Sequence, residues 1–312
     1  MIDLLDKIHH SDCVELIERL PDESVHSVVT DIPYGISLDD WDVLHSNTNS
    51  ALLGQSPAQI GKSAFKRRGK PIRGWSSADK KIPKEYQEWC STWAKPLFQK
   101  VKKGGSVFIF GARRTIHRAL IALEDEGFLV KDILAWEKPS AHHRAQRISI
   151  VLNRRGLESA AEDWEGWRLG NLAPIWEPVA WLFKPYDHTV TDNVLEHDLG
   201  AVNMEVIRRN GDSPTNLLRA SLEEERLHEA QKPVDLVRQL IELTTRKGHV
   251  VLDPFCGSGT TAIAAIRSGR NFVCGDSKPE YVELSRNRID KEKIQAQNPK
   301  QIRLSLFDSA QA

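Results

Sequence analysis

Apolar residues recur along the chain in short strand-like runs, which alternate with amphipathic segments of helical spacing. Apolar runs bounded by turn residues predict six strands, at 25–30, 106–110, 128–136, 178–184, 249–253 and 271–276. Apolar residues three and four positions apart predict helices, at 12–20, 85–100, 115–126, 233–245, 260–268 and 279–291. Strands that alternate with helices imply right-handed crossovers, so the pattern predicts an α/β protein with a mostly parallel sheet.

Two intervals interrupt this alternation. Residues 36–83 combine Gly, Ser, Asn and Pro with a basic cluster and show no clear periodicity, which predicts a long surface loop. Residues 138–168 are basic, rich in His and Trp and weakly patterned, so we expect them to lie outside the core sheet. Between the second and third helical segments, Gly104 and Gly105 predict a turn ahead of the strand at 106–110.

The charge of the chain is balanced overall but unevenly distributed. Its 312 residues carry 43 Lys and Arg against 43 Asp and Glu. Residues 61–155 hold 22 basic and 8 acidic residues, a net charge of +14, which leaves −14 for the remainder. Clustered Lys and Arg replace counterions along a phosphate backbone, so this asymmetry favours a nucleic-acid partner over a merely solvated basic face.

Composition also bears on location. The four cysteines form no C-x-x-C pair and no basic and then apolar leader opens the sequence, so we expect a protein of the reducing cytoplasm. No apolar run is long enough to cross a bilayer, and we expect no membrane association. A chain of this length can bury a full core, so neither a metal nor a disulfide is needed for folding.

A glycine-rich turn stands between the strand at 249–253 and the helix at 260–268. Its sequence is D-P-F-C-G-S-G-T-T-A, and Asp276 closes the next strand 19 residues after Gly257. Such a turn brings backbone N–H groups close to a ligand, and an acid after the second strand can accept both ribose hydroxyls. A nicotinamide dinucleotide, S-adenosylmethionine and a purely structural turn are the alternatives. Only 36 residues follow Asp276, too few for a second nucleotide-binding half, which favours S-adenosylmethionine.

Three motifs together resemble one family. They are T-D-I-P-Y-G at 30–35, H-E-A-Q-K-P at 228–233 and V-L-D-P-F-C-G-S-G-T-T at 251–261. In this order they resemble the amino-methylating DNA methyltransferases of the β class, and the resemblance runs from about Ser11 to Ile289. It implies a Rossmann-like methyltransferase fold with a mixed, mostly parallel seven-stranded sheet, helices on both faces and an inserted DNA-recognition region.

The resemblance also implies a division of the chain and a cofactor site. Residues 1–138, with the basic loop at 36–83, would form the catalytic half, 139–225 the target-recognition region and 226–312 the cofactor-binding half. Ser11 stands where the family's short G-D-C element has Gly. S-adenosylmethionine would be held by Asp12, Lys232, Pro233, Asp253, Pro254, Phe255, Gly257, Gly259, Thr260 and Asp276.

The tetrapeptide at 31–34 would carry the chemistry. An exocyclic amine is a poor nucleophile because its lone pair is delocalised into the base. The Asp31 carboxylate and the main-chain carbonyl of Ile32 would accept its hydrogens and aim the lone pair at the methyl group. Pro33 would stiffen the turn, and Tyr34 would stack on an extruded base. The family more often has Pro where this chain has Ile32, which predicts a less rigid turn.

The target base is adenine N6 on this interpretation. A leading Asp is typical of adenine N6 enzymes and a leading Ser of cytosine N4 enzymes, which makes cytosine N4 the second hypothesis. An RNA-directed methyltransferase and a non-catalytic DNA-binding protein are the further alternatives. Double-stranded DNA is the expected partner, and the resemblance admits a cognate restriction endonuclease and a homodimer.

Basic residues in the two weakly patterned intervals are the expected DNA contacts. Two interpretations are open for Trp164 and Trp167, insertion into DNA and packing inside the recognition region, and packing is the one expected. The predicted DNA-binding residues are Lys66, Arg67, Arg68, Lys70, Arg73, Arg144 and Arg147.

A salt titration tests the basic loop. Replacing Lys66, Arg67, Arg68 and Lys70 together by Ala should weaken binding to cognate and random duplexes alike. Each lost phosphate contact should lower the slope of log K against log salt by about 0.9. A loss confined to cognate DNA would instead indicate base reading, whereas unchanged slope and affinity would identify a solvated face.

Overall fold

The computed structural model describes residues 1–34, 77–138, 146–168, 172–206, 208, 214–220 and 231–297. Within them the strands are β1 Lys7–His10, β2 Val25–Asp31, β3 Val101–Phe110, β4 Leu129–Glu137, β5 Trp176–Phe183, β6 Leu217–Arg219, β7 Val250–Asp253 and β8 Asn271–Asp276. The helices are α1 Cys13–Glu18, α2 Ser77–Lys100, α3 Ile116–Asp125, α4 Ile148–Asn153, α5 Glu158–Asp163, α6 Val190–His197, α7 Val234–Thr244, α8 Thr260–Ser268 and α9 Pro279–Gln297.

The strands form one sheet in the order β1-β8-β7-β2-β3-β5-β4-β6. Among these described strands only β5 runs against its neighbours, β3 and β4, and the other pairings are parallel. After β7 the chain continues to β8 on one side, and after β2 it continues to β3 on the other. A crevice opens at the carboxyl ends of strands where connections diverge in this way. Asp31 and Asp253, the last residues of β2 and β7, stand at its mouth.

The expected α/β architecture is confirmed, but the expectation of seven strands is wrong. Eight strands pair in the described part of the chain. Two of them, β1 and β6, were not predicted from the pattern. β6 is three residues long, and β1 carries a single apolar side chain, Ile8. β6 is too short and β1 has too few apolar residues to give a strand signal, and both are edge strands held by one neighbour each.

The glycine pair predicted as a turn lies inside β3. Gly104 has φ +78°, and the pairing of β2 with β3 skips from Val25–Val101 to Ser27–Ser106. A Cβ on Gly105 would lie 2.8 Å from Val101 Cγ1. The two glycines therefore form an irregularity that lets the strand continue, rather than a turn that starts it.

Helix α2 begins at Ser77, inside the interval predicted as loop. Its prolines remove backbone donors but do not end it, because an apolar stripe runs along one face. The stripe packs on the sheet and is formed by Ile82, Tyr86, Cys90, Trp93 and Leu97, all at most 5% exposed. Helices α1, α2 and α3 cover one face of the sheet, and α7, α8 and α9 cover the other.

The described part of the interval after β4, residues 146–168, lies outside the sheet, as expected. It folds into α4 and α5, two short helices that contact each other. Helix α6, which the sequence pattern does not predict, begins with a capping box between Thr189 and Asp192. The division of the chain into three parts stays a prediction. Among the described helices, none is both long and apolar enough to span a membrane.

A histidine pair lies at the amino ends of β2 and β7, on the side of the sheet away from the crevice. The rings of His26 and His249 stack with centroids 4.1 Å apart. His26 Nδ1 accepts the N–H of Val250 at 3.1 Å, and His249 Nε2 lies 3.1 Å from Asp198. Burial, aided by the neighbouring His249, lowers the pKa of His26 to about 3, and burial also lowers the pKa of His249.

Acid should therefore destabilise the fold. Below a pH of about 6.5 the unfolded chain takes up a proton on His26 that the folded chain refuses, so stability falls as the pH decreases toward about 3. His26→Asn keeps an acceptor for Val250 but does not titrate. The free energy of unfolding of this variant should therefore fall less steeply with decreasing pH. The slope should be smaller than that of the wild type by up to about 1.4 kcal/mol per pH unit. Denaturant unfolding at about pH 7 and pH 5 measures this, and equal losses in both proteins would contradict it.

Candidate active site

A cavity of about 260 Å³ opens at the carboxyl ends of β1, β8, β7 and β2. All three predicted motifs contribute to its wall, although they come from distant parts of the chain. Ten of the predicted residues line it, namely Asp12, Asp31, Pro33, Lys232, Asp253, Pro254, Phe255, Gly257, Thr260 and Asp276.

Four predicted residues do not line the cavity. Ile32 is fully buried beneath it, and Pro233 precedes α7 as its N-cap. Gly259 is the N-cap of α8, and Tyr34 reaches the site through Lys232, whose Nζ donates to the Tyr34 hydroxyl at 3.2 Å. These residues support the wall rather than form it.

The turn at 31–34, here named the tetrapeptide turn, is anchored by neighbouring elements. The Tyr86 hydroxyl of α2 donates to the Pro33 carbonyl at 2.7 Å, and the Thr115 hydroxyl donates to the Tyr34 carbonyl at 2.7 Å. The Ile32 N–H donates to Phe110 O at 3.2 Å, which continues the ladder with β3. The turn is therefore held by hydrogen bonds from neighbouring elements, and its lower rigidity with Ile32 in place of Pro stays a prediction.

Asp31 forms an ion pair with Lys232 inside the site. Lys232 Nζ donates to Asp31 Oδ2 at 2.5 Å, while Asp31 Oδ1 is shielded from solvent and accepts no hydrogen bond from any described residue. Burial raises the pKa of Asp31 to about 6, against the opposing effect of Lys232. Burial disfavours the ammonium of Lys232, but Asp31 and its other neighbours raise its pKa overall. The pair is therefore ionised at neutral pH.

The glycine-rich loop is shaped by two residues of positive φ. Gly257 has φ +48° and a Cβ there would meet nothing within 4 Å, because the position faces open space. Gly259 has φ +80°, and its Cβ would lie 3.0 Å from Ser285 Cβ of α9. The loop needs glycine at the first position for its backbone, and at the second for both backbone and packing.

Asp276 holds this loop from β8. Its Oδ2 accepts the Gly257 N–H at 2.9 Å and its Oδ1 accepts the Lys278 N–H at 3.0 Å. A carboxylate has about four acceptor positions, so ribose hydroxyls can still be bound. At the neighbouring strand end, Asp12 caps α1 by accepting the Val14 N–H at 2.8 Å. The two predicted acids thus stand side by side, because β1 pairs with β8 up to His10 and Asp276.

Asp253 links the two motifs. The Thr30 hydroxyl of β2 donates to Asp253 Oδ1 at 2.7 Å, and the Phe255 N–H donates to the same oxygen at 3.1 Å. The Thr261 hydroxyl donates to Val29 O at 3.1 Å and fixes α8 to β2. Burial raises the pKa of Asp253 to about 6, against these hydrogen bonds. The glycine-rich loop and the strand that carries Asp31 are therefore joined directly.

The structure adds residues to the site beyond those predicted, and five of the additions lie inside the three motifs. Trp89 of α2 lines the cavity, and its ring lies 5.6 Å from that of Phe255. Its neighbourhood depends on how α2 crosses the sheet, which no local signal reveals. The other additions are Cys13, Thr30, Phe110, Gln231, Val237, Cys256, Ser258, Thr261, Ser277, Lys278 and Tyr281. Most of these are chain neighbours of predicted residues and could have been found by extending each motif.

Most of the predicted DNA-binding residues lie outside the described residues. These are Lys66, Arg67, Arg68, Lys70, Arg73 and Arg144. Arg147 is exposed at the start of α4, where it pairs across an isolated bridge with Arg168. Residues 146–168 contain four Arg and four acidic residues, so this part of the basic interval is neutral.

The expectation that Trp164 and Trp167 pack inside the recognition region is wrong. They are 43% and 61% exposed. Their rings contact each other edge to face, with centroids 5.2 Å apart. Helices α4 and α5 each have six residues, too little surface to cover two indoles.

The cavity fits a nucleoside with a charged tail. Asp276 supplies ribose acceptors, Gly257 leaves room for backbone approach, and the Thr260 hydroxyl is buried without a hydrogen-bond partner among the described residues. A sheet with its crevice at this switch point, a nucleoside loop and an adjacent acidic turn define a methyltransferase of the class that binds S-adenosylmethionine.

Comparisons with known proteins agree with this class. The family model described as DNA methylase, of the N6 and N4 amino-methyltransferases, matches residues 25–287. The chain is 46% identical over 299 residues to the type II methyltransferase M.HindIII of Haemophilus influenzae, covering 93% of this chain and 97% of that protein. The chain therefore belongs to the N6/N4 DNA methylase family, and S-adenosylmethionine is its cofactor.

Solved structures share the fold. The PvuII DNA methyltransferase, described as cytosine-N4-specific, superposes with a TM-score of 0.57 at 20% identity, covering 92% of this chain and 91% of its own. A DNA modification methylase from Thermus thermophilus, complexed with S-adenosyl-L-methionine, gives a TM-score of 0.55 at 20% identity, with 92% and 93% covered.

Donor binding should depend on Asp276. Asp276→Asn places an amide against one of two main-chain N–H groups and removes a ribose acceptor. Affinity for S-adenosylmethionine should therefore fall by roughly 1–3 kcal/mol, about 5- to 150-fold. Calorimetric titration measures this, with Asp290→Asn on the exposed face of α9 as the matched control. Equal affinity in the two variants would remove Asp276 from the donor site.

Proposed function

We propose that the chain transfers a methyl group from S-adenosylmethionine to the exocyclic N6 of adenine in duplex DNA, after the base has been extruded from the helix. The observation that carries this proposal is the Asp31 carboxylate. Its Oδ2 is held by Lys232, its Oδ1 has no partner among the described residues, and Asp31 and the glycine-rich loop line one cavity. An amine that is to receive a methyl group needs an oriented hydrogen-bond acceptor beside the nucleoside site, and Asp31 supplies one.

The residues would act in the following way. S-adenosylmethionine supplies an electrophilic sulfonium methyl when bound. Asp31 Oδ1 and the Ile32 carbonyl would each accept one amino hydrogen, which turns the nitrogen lone pair toward the glycine-rich loop. The amine must lose a proton when it is methylated, and the Asp31 carboxylate, which would already accept its hydrogen bond, can take that proton. Tyr34, fixed by Lys232 and Thr115, would present its ring to the base.

The choice of adenine depends on Asp31 as the first residue of the tetrapeptide, which is typical of adenine N6 enzymes. The same two acceptors would suit cytosine N4, and that base is the alternative outcome of the test. We also propose duplex DNA over RNA as the substrate, a cytoplasmic location, a homodimer, and a restriction endonuclease of matching sequence as partner. Arg147 and the basic loop would contact the phosphates.

Nucleoside analysis tests the reaction and the base together. Unmethylated bacterial DNA is incubated with the protein and isotope-labelled S-adenosylmethionine, digested, and separated by mass spectrometry. Label in N6-methyldeoxyadenosine is expected. Label in N4-methyldeoxycytidine would reassign the base, label only with an RNA substrate would reassign the polymer, and no label in any substrate would contradict a methyltransferase.

Asp31→Asn should separate chemistry from binding. The variant keeps the shape but replaces the charged acceptor, so methyl transfer should fall by roughly 10²- to 10³-fold. Affinity for S-adenosylmethionine should stay within about twofold, about 0.4 kcal/mol, since Asp276 and the glycine-rich loop are untouched. Near-normal turnover would mean that Asp31 is not the acceptor.

The pH dependence gives a second test of Asp31. Since the carboxylate must be ionised to accept hydrogens and its pKa is raised to about 6, kcat/KM should fall as the pH decreases through about 6. Rates at saturating donor between about pH 5 and pH 8 measure this limb. Constant kcat/KM down to about pH 5 would contradict a buried carboxylate acceptor.

A further inference from the structure

A second carboxylate lies behind Lys232, away from the cavity wall. Glu177 Oε2 of β5 lies 3.8 Å from Lys232 Nζ, and Glu177 Oε1 accepts a hydrogen bond from Lys138 Nζ. Asp31, Lys232, Glu177 and Lys138 therefore form a row of alternating charge. Glu177 and Lys138 are not among the residues that line the cavity.

The antiparallel course of β5 brings Glu177 to this position. β5 begins where its neighbours β3 and β4 end, because it runs against both. Val179 pairs with Phe110, the last residue of β3, so Glu177 lies two residues beyond it. On the other side Trp136 pairs with Glu177, which places Lys138 just past the end of β4. The network is assembled at the carboxyl edge of the sheet, beside Asp31.

Burial makes each member of the row depend on the next. A buried ion is stable only when it is paired, and removal of one partner leaves the other uncompensated. Burial opposes the ionisation of Glu177, but Lys232 and Lys138 lower its pKa overall. The Lys232 side chain is 6% exposed, so solvent screens its charge little. Its position between two carboxylates is fixed by both of them.

We propose that Glu177 and Lys138 are positioning residues, which hold Lys232 so that it occupies Asp31 Oδ2 and leaves Oδ1 for the amine. This inference rests on the proposed function. Glu177 competes with Asp31 for Lys232 and so weakens the attraction between Lys232 and Asp31. Asp31 thereby stays basic enough to accept a hydrogen bond from the amine. Lys138 limits that effect by pairing with Glu177.

The two residues should act on Asp31 in opposite directions. The negative charge of Glu177 disfavours ionisation of Asp31, and the positive charge of Lys138 favours it. Other charged and titratable groups also face Asp31 or Glu177. The full set is Lys232, Tyr34, Glu177, Lys138 and Asp253 around Asp31, with Arg113 beside Glu177. Substitutions at Glu177 and Lys138 remove none of these other groups.

The experiment measures the acid limb of the kcat/KM profile, that is, the fall of kcat/KM with decreasing pH, in two variants. Glu177→Gln keeps the shape and removes the negative charge, so the limb should move to lower pH by roughly 0.5–1 unit. Lys138→Met removes the positive charge, so the limb should move to higher pH by a similar amount. Glu137→Gln is the matched control, because its carboxylate pairs at the surface with Arg219 and its limb should not move.

The outcomes separate this inference from the proposed function. If wild-type protein transfers no methyl group to DNA, the proposed function fails. If wild-type protein is active and both variants lose activity equally at all pH values with an unmoved limb, the two residues are merely structural and the inference is wrong. Circular dichroism and S-adenosylmethionine affinity confirm that each variant is folded. Should Lys138→Met not fold, the direction of the Glu177→Gln shift alone decides.

Discussion

The hydrogen bond from Thr30 to Asp253 is the contact on which the site depends. It joins residues 223 positions apart, at the carboxyl ends of the adjacent strands β2 and β7. Because the chain leaves these strands in opposite directions, nothing in the described part of the chain crosses between them and a crevice stays open. The glycine-rich loop follows one strand and the tetrapeptide turn follows the other. A fold with a different strand order would contain the same motifs and bring none of them together.

Anchors from outside the crevice make this arrangement rigid. Tyr86 and Thr115 hold the carbonyls of the tetrapeptide turn, the Ser285 hydroxyl donates to the Gly257 carbonyl, and Asp276 accepts the Gly257 N–H. Each of these hydrogen bonds contributes only about 1 kcal/mol to stability. Their importance lies in position, since an in-line transfer is slowed strongly by small misplacements.

Much of this could be predicted from the sequence, and the failures have physical causes. The Gly257 loop and the tetrapeptide from Asp31 are local motifs, so sequence alone placed them correctly at strand ends. The six predicted strands are apolar runs, whereas β1 carries a single apolar side chain and β6 has only three residues. Glu177 gave no local signal, because its contact with Lys232 depends on an antiparallel strand that the alternation of elements does not reveal.

Lys232 illustrates how a motif can be found and its contacts still be missed. The resemblance places it at the donor, and it does line the cavity, but its Nζ lies on Asp31 Oδ2. A full positive charge there would by itself weaken Asp31 as an acceptor, since it stabilises the ionised form and lowers the carboxylate's basicity. Burial acts the other way and prevails, with the pKa of Asp31 raised to about 6. The site therefore contains a carboxylate that is ionised at neutral pH yet still basic, and this balance suits a group that must first accept a hydrogen bond and then a proton.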